Sequence, residues 1–234
     1  MIKENLSRLR QDFADACRLS GRKPEEVTLV GVTKFISNED IQEAIDAGLT
    51  DIAENRVQEA EKKFVSLSQA NPKIKRHLIG HLQSNKAKDA IAVCDLIQSV
   101  DSIKLIQEIE KQALKINKSV DVLLQFNTAH EPQKFGADPS EALPLLECVG
   151  RLTRVRVLGL MAMAPFTEDQ GIIRRTFADL RGLRDLAVKN FSGHPAIEMK
   201  YLSMGMSSDY TIAIEEGSNM VRVGSALFKK EEGK

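Results

Sequence analysis

Thr28-Leu29-Val30-Gly31-Val32-Thr33-Lys34 is a run of apolar and β-branched residues that ends in a lysine instead of a turn. A parallel strand covered on both faces is written this way. Its last residue emerges at the sheet edge where α/β proteins place their chemistry. Side chains alternate along a strand, so Lys34 shares a side with Val32, Val30 and Thr28, while Leu29, Gly31 and Thr33 face the other way. If the shared side is a barrel lumen, the amine stands at its mouth. A strand-end lysine also commonly snorkels into solvent with its stem packed on apolar neighbours. A partly desolvated amine, by contrast, is neutral enough to attack a carbonyl. What the other strand ends carry decides between the two.

The same unit repeats along the chain. Leu6, Leu9, Phe13, Ala16 and Cys17 recur at helical spacing and predict an extra N-terminal helix over 2–20, ahead of the first strand. Further strands are predicted over 51–55, 75–81, 96–100, 120–128, 155–163, 198–204 and 220–228, with a helical segment between each pair. Eight strands alternating with helices in one uninterrupted chain predict a single (β/α)8 TIM barrel, class α/β, over residues 1–234. A doubly wound open sheet is the competing architecture, but neither G-x-G-x-x-G nor G-x-x-x-x-G-K-[ST] occurs.

Lys and Arg number 33, as do Asp and Glu, so the formal charge is zero. Nothing in that balance attracts nucleic acid or an anionic membrane. No apolar run approaches the ~18 residues of a membrane span, and the first ten residues lack the apolar core of a signal peptide. A cytoplasmic protein is expected. Cys17, Cys94 and Cys148 are odd in number and widely spaced, a pattern of neither a disulfide framework nor a zinc site. Only the last residues, 229–234, read as disordered.

In a barrel the C-terminal strand ends converge, which gathers Lys34, Asn55, His81, Gln125 to Asn127, Met163, Ser203 to Gly205, Arg222, Gly224 and Ser225. Glu54, beside Asn55, is the one carboxylate near that set, so a glycosidase pair is not visible. His77 and His81 on one strand would stand ~13 Å apart, too far to share a metal, and structural roles are expected for both. Leu202 to Asp209 supplies hydroxyls and a glycine before a helix, whose free N–H groups favour an anion. Val221-Arg222-Val223-Gly224-Ser225 adds a glycine, a hydroxyl and a fixed positive charge. Each stretch alone is also an ordinary cap or turn. Joined to Lys34, they describe a site for an aldehyde that carries a phosphate.

Val32-Thr33-Lys34, Glu54-Asn55-Arg56-Val57-Gln58-Glu59, His77 to Lys86 with its G-H-L-Q-S-N-K, Gly159 to Ala164, Leu202 to Ser207 and Val221 to Gly224 closely resemble the pyridoxal-phosphate homeostasis protein family. The resemblance implies the barrel domain of alanine racemase and of ornithine-type decarboxylases, here without their C-terminal β-domain, and pyridoxal 5′-phosphate as the cofactor. It implies that Lys34 forms a reversible Schiff base and that Arg222 faces the pyridine nitrogen. Ser203, Gly224 and Ser225 are implied as phosphate contacts, with Met204 and Asn55 among the cofactor-binding residues.

The family likeness further implies a monomeric, non-catalytic carrier. It would store, deliver and buffer the cofactor, meet pyridoxal-phosphate-dependent apoenzymes transiently, and influence amino-acid and keto-acid pools. The alternative is an amino-acid racemase or decarboxylase, which needs a second acid/base group opposite Lys34. The only tyrosines available are Tyr201 and Tyr210. A barrel that binds phosphorylated sugars without covalent chemistry is a third possibility. Ala53 and Arg56 stand where the family often has Gly and Tyr in Gly-Glu-Asn-Tyr, and Lys229 replaces the usual glycine after the final phenylalanine. These departures put local geometry in question at those two places.

Overall fold

In the computed structural model, which describes residues 1–131 and 133–229, the strands are β1 (Thr28–Val32), β2 (Asp51–Glu54), β3 (Lys75–Leu78), β4 (Leu96–Val100), β5 (Val120–Gln125), β6 (Val155–Met161), β7 (Ile197–Ser203) and β8 (Met220–Val223). They pair in sequence order, all parallel, and β8 returns to β1, so the sheet closes into a barrel. Closure explains why several strands read as apolar on both sides. Val30, Ala53, Leu96, Leu123, Met161 and Met220 fill the lumen as one cluster. Their neighbours in sequence, such as Ile52, Ile97, Val122, Leu124 and Leu160, face the surrounding helices.

Those helices are α1 (Ile2–Leu19), α2 (Asn38–Asp46), α3 (Val57–Ala70), α4 (Ala87–Val93), α5 (Ile103–Lys115), α6 (Ala142–Gly150), α7 (Gln170–Phe191), α8 (Tyr210–Glu215) and α9 (Ser225–Phe228). Side-chain caps start several of them: Ser37 accepts from the Asp40 N–H, Ser102 from Leu105, and Asp169 from Gly171 and Ile172. The expected extra N-terminal helix is α1, which buries Ile2, Leu6, Leu9, Phe13, Ala16 and Cys17 and flanks the barrel. Its Asn5 Nδ2 donates to the Leu227 carbonyl at 3.0 Å, and Asp12 accepts from the Tyr210 hydroxyl at 2.7 Å.

Only β4 keeps its predicted bounds, and four of the differences bear on the site. β1 ends at Val32, leaving Thr33 and Lys34 to a turn, and β3 ends at Leu78, so His81 lies in the following loop. β5 stops at Gln125, after which Phe126 makes an isolated bridge to Ala137. The segment 220–228, read as one strand, is a strand to Val223 and a helical turn from Ser225. A four-residue turn is too short to show a helical period, and V-R-V before it dominates the pattern. Ala53 is buried in the lumen, while Arg56 and Lys229 are exposed, so the departures from the family pattern sit without strain. The three cysteines are free. The expected disorder at the C-terminus falls outside the described residues apart from Lys229.

Candidate functional site

The C-terminal strand ends form one rim. At β1, the Ile36 N–H donates to the Thr33 carbonyl at 3.0 Å and closes a tight turn around Lys34 and Phe35. Phe35 takes φ 64° there, a left-handed conformation that normally selects glycine. The turn is held from behind. Thr33 Oγ1 donates to Glu54 Oε1 at 2.7 Å, and Lys63 Nζ donates to the same oxygen at 2.8 Å and to the Thr33 carbonyl at 2.6 Å. Glu54 is 1% exposed and, one residue from lumen-facing Ala53, points toward the helices. It supports the turn and stays out of the mouth. Lys34 is exposed, and among the described residues no group hydrogen-bonds or ion-pairs its amine.

The adjacent strand brings a cation and a cradle. Val30 and Arg222 are register partners, which places Arg222 in the lumen beside the strand that ends in Lys34. Its guanidinium is buried, with Nη1 donating to Ser203 Oγ at 2.6 Å and Nη2 to the Ala162 carbonyl at 3.0 Å. Burial lowers its pKa to about 10, against the opposing pull of Asp209, so it stays charged at neutral pH. Just beyond β8, the N–H groups of Gly224 and Ala226 both donate to Ser207 Oγ, at 3.3 Å each. Backbone N–H groups converging on one oxygen are the donor set that a phosphate uses. A Cβ built on Gly224 would lie 3.5 Å from Val32 Cβ, so the cradle packs against the strand that delivers the lysine. Ser225 is exposed beside it.

The rest of the rim is polar and partly unsatisfied. Asn55 lies at the end of β2 with its Oδ1 buried and without a partner, and Asn127 Oδ1 and Thr128 Oγ1 are in the same condition past β5. Such atoms call for a ligand or water. Gly80 fixes this corner, since a Cβ there would fall 2.1 Å from the Asn55 carbonyl oxygen. His81 stacks on Phe135, ring centroids 4.3 Å apart, with its Nδ1 3.6 Å from Asp101 Oδ2. Burial raises the Asp101 pKa, an effect opposed by His81. Gln125 is buried, its Nε2 donating to the Phe135 carbonyl at 3.1 Å.

Two of the expected cofactor-binding residues, Ser203 (expected at the phosphate) and Met204, are engaged elsewhere. Ser203 is fully buried and its hydroxyl proton goes to Gln98 Oε1 at 2.6 Å, so it supports Arg222 from inside the barrel. Met204 packs its side chain in the helix-facing core, donates its N–H to the Met220 carbonyl and accepts from Ser218 Oγ at its own carbonyl. Strand alternation turns its side chain away from the lumen. The hydroxyl that the sequence reading passed over is Ser207, three positions on and inside a stretch already singled out. His77 is a satisfied lumen histidine, as expected, bonded to Asp51 and Gln98. Neither tyrosine reaches the mouth. Tyr210 is tied to Asp12 on α1, burial raising its pKa, and Tyr201 packs in the lumen cluster. Among the described residues no group of three or more His, Cys, Asp or Glu is placed to hold a metal, and no helix is long and apolar enough to cross a membrane.

A free amine, a buried guanidinium and converging N–H groups on adjacent strands fit a phosphorylated aldehyde with a basic ring atom. A family model described as the alanine racemase N-terminal domain matches residues 5–232. The pyridoxal phosphate homeostasis protein of Aquifex aeolicus is 39% identical over 225 residues, 96% of each chain. This chain belongs to the pyridoxal phosphate homeostasis protein family. Among solved structures, a protein of unknown function from Bifidobacterium adolescentis superposes with a TM-score of 0.92 at 38% identity, covering 97% of this chain and 94% of that one. PipY of Synechococcus elongatus, solved with PLP bound, gives 0.84 at 34% identity, covering 97% of this chain and all 100% of that one. Family membership agrees with the G-H-L-Q-S-N-K and S-M-G-M-S stretches, and gives the rim geometry above its context.

Proposed function

We propose that this protein binds pyridoxal 5′-phosphate at the barrel mouth and stores, delivers and buffers it in the cytoplasm, without catalytic turnover. One observation carries the proposal: Lys34, its amine unpartnered among the described residues, follows directly on the strand whose Val30 pairs with buried Arg222 and whose Val32 packs against the Gly224 cradle. When bound, the cofactor supplies an aldehyde that an amine holds covalently and reversibly. Lys34 anchors it. The Gly224 and Ala226 N–H groups, with the hydroxyls of Ser207 and Ser225, take the phosphate. Arg222 faces the ring nitrogen, and Asn55 lines the wall.

Arginine is a donor only and stays protonated, so opposite a ring nitrogen it disfavours a proton on that nitrogen. A ring held that way is a weak electron sink. A racemase would also need a second acid/base group opposite Lys34, and the two tyrosines are engaged elsewhere. His81, with Asp101 behind it, is the group left to serve. The carrier we propose acts as a monomer and meets recipient apoenzymes briefly, and amino-acid and keto-acid pools respond through them.

The test is the visible spectrum of purified protein titrated with pyridoxal phosphate, followed by borohydride reduction and peptide mapping. Wild type should gain the absorption of lysine-bound cofactor and carry the reduced adduct on Lys34, and Lys34→Ala should lose both. An adduct that persists on another lysine would overturn the assignment. Release of hydrogen from the α-carbon of any amino acid, lost in Lys34→Ala or His81→Asn, would replace the carrier with the racemase.

A further inference from the structure

Arg222 is a buried cation, and among the described residues no carboxylate pairs with it directly. Buried Asp209 favours its charge without touching it, and a buried charge with no hydrogen-bonded counter-charge is costly. A line of side chains runs from Arg222 through the lumen to a carboxylate on β2, the strand on the other side of β1. Arg222 Nη1 lies 2.6 Å from Ser203 Oγ, Ser203 Oγ 2.6 Å from Gln98 Oε1, Gln98 Nε2 2.8 Å from His77 Nδ1, and His77 Nε2 3.0 Å from Asp51 Oδ1. All five residues are buried. They come from β8, β7, β4, β3 and β2, so no two of them share a strand.

With the Gln98 amide oxygen toward Ser203 and one proton on the His77 ring, the chemistry at the two ends sets the direction of every bond between them. Arginine only donates, so Ser203 Oγ accepts from it and passes its own proton to Gln98. The atom facing Ser203 must then be the amide oxygen, which turns the Gln98 N–H toward His77. His77 Nδ1 therefore accepts, the ring proton sits on Nε2, and that proton is donated to Asp51, a carboxylate that only accepts. Reversing the glutamine would set an unprotonated Nε2 against the carboxylate, or else require a second proton on the buried ring. The opposite end of Asp51 is held by Thr50 Oγ1 at 2.7 Å, and the residue borders a cleft of about 490 Å3 beneath α1, lined also by Arg10, Thr28 and Thr50.

We propose that Ser203, Gln98, His77 and Asp51 are positioning residues that act through Arg222. They hold its guanidinium plane and link its charge, by a line of oriented dipoles, to the Asp51 carboxylate, which like Arg222 is a register partner of Val30. Aligned hydrogen bonds in a dry interior polarise one another, so the line favours the charged, fixed arginine that the cofactor would meet. The role toward cofactor rests on the function proposed above, but the orientation of the line does not.

Nitrogen-15 NMR of the histidines tests the line in cofactor-free wild type. His77 should be neutral, with its proton on Nε2 and Nδ1 bare. Gln98→Glu, which can only accept, should draw a proton onto His77 Nδ1. Gln98→Met, which cuts the line at its centre, should weaken cofactor retention about tenfold and shift the visible band, while borohydride still fixes cofactor to Lys34. A wild-type His77 with its proton on Nδ1 would overturn the proposal, even if neither variant folds. So would a folded Gln98→Met protein with unchanged band and retention. Wild type that takes up no cofactor on Lys34 would instead refute the binding function, and the His77 tautomer would still judge the line.

Discussion

At the scale of single residues, the turn after β1 concentrates the unusual features. Phe35 holds a left-handed backbone with its ring 97% exposed, a conformation that costs a side-chain-bearing residue about 1–3 kcal/mol. Burial gives nothing back, so Phe35→Gly should raise the free energy of unfolding by about 1 kcal/mol after the added chain entropy of glycine, as read by urea titration. Glu54 gives the opposite sign. It is the carboxylate for Thr33 and for the largely buried Lys63, and removing one partner of such a pair costs about 3 kcal/mol. Glu54→Gln should therefore lower the unfolding midpoint sharply and slow cofactor capture by Lys34, measured by stopped-flow absorbance. Lys34 and Arg222 were legible as residues because charge at the end of an apolar run stands out. Gln98 and Asp51 were not, because a polar residue inside a strand declares nothing about what lies across the lumen. Ser203 and Ser207 shared one motif, and only the exit angle of the chain decides which hydroxyl faces the cradle.

Between elements, α5 and β6 are joined by one side chain. Glu110 on α5 accepts from the N–H groups of Thr153, Arg154 and Val155 and from the Thr153 hydroxyl, all within 3.0 Å. Burial alone would raise its pKa, but these donors outweigh it and hold the carboxyl below the ordinary range. A depressed folded pKa adds stability above the unfolded value, near 4.3, and that stability disappears as pH falls through the folded value. Glu110→Gln should cost about 1–3 kcal/mol at pH 7, and the difference from wild type should shrink toward zero in strong acid. Denaturant melts across pH measure this, and a constant difference would refute it. Helices and strands themselves were readable from period and caps. Their ends were not, because β1, β3 and β5 stop where loop contacts such as Thr33 to Glu54 and Phe126 to Ala137 take over.

For the whole molecule, the closed sheet puts β1 beside β8, and α1 covers the outside of that closure. Phe13 packs on Tyr210 with ring centroids 5.3 Å apart, Asn5 reaches the Leu227 carbonyl, and Ile2, Leu6, Leu9 and Phe13 are buried. At about 2 kcal/mol per large apolar side chain, those four contribute on the order of 8 kcal/mol as an upper estimate. Whole domains are stable by only about 5–15 kcal/mol. The helix thus decides whether the seam next to the lysine and its cradle stays shut. A protein lacking residues 2–19 should lose its cooperative thermal transition, bind an apolar dye, and fail to take up pyridoxal phosphate. A truncated protein that melted cooperatively within a few degrees of the full chain would show that the eight strands hold the seam unaided.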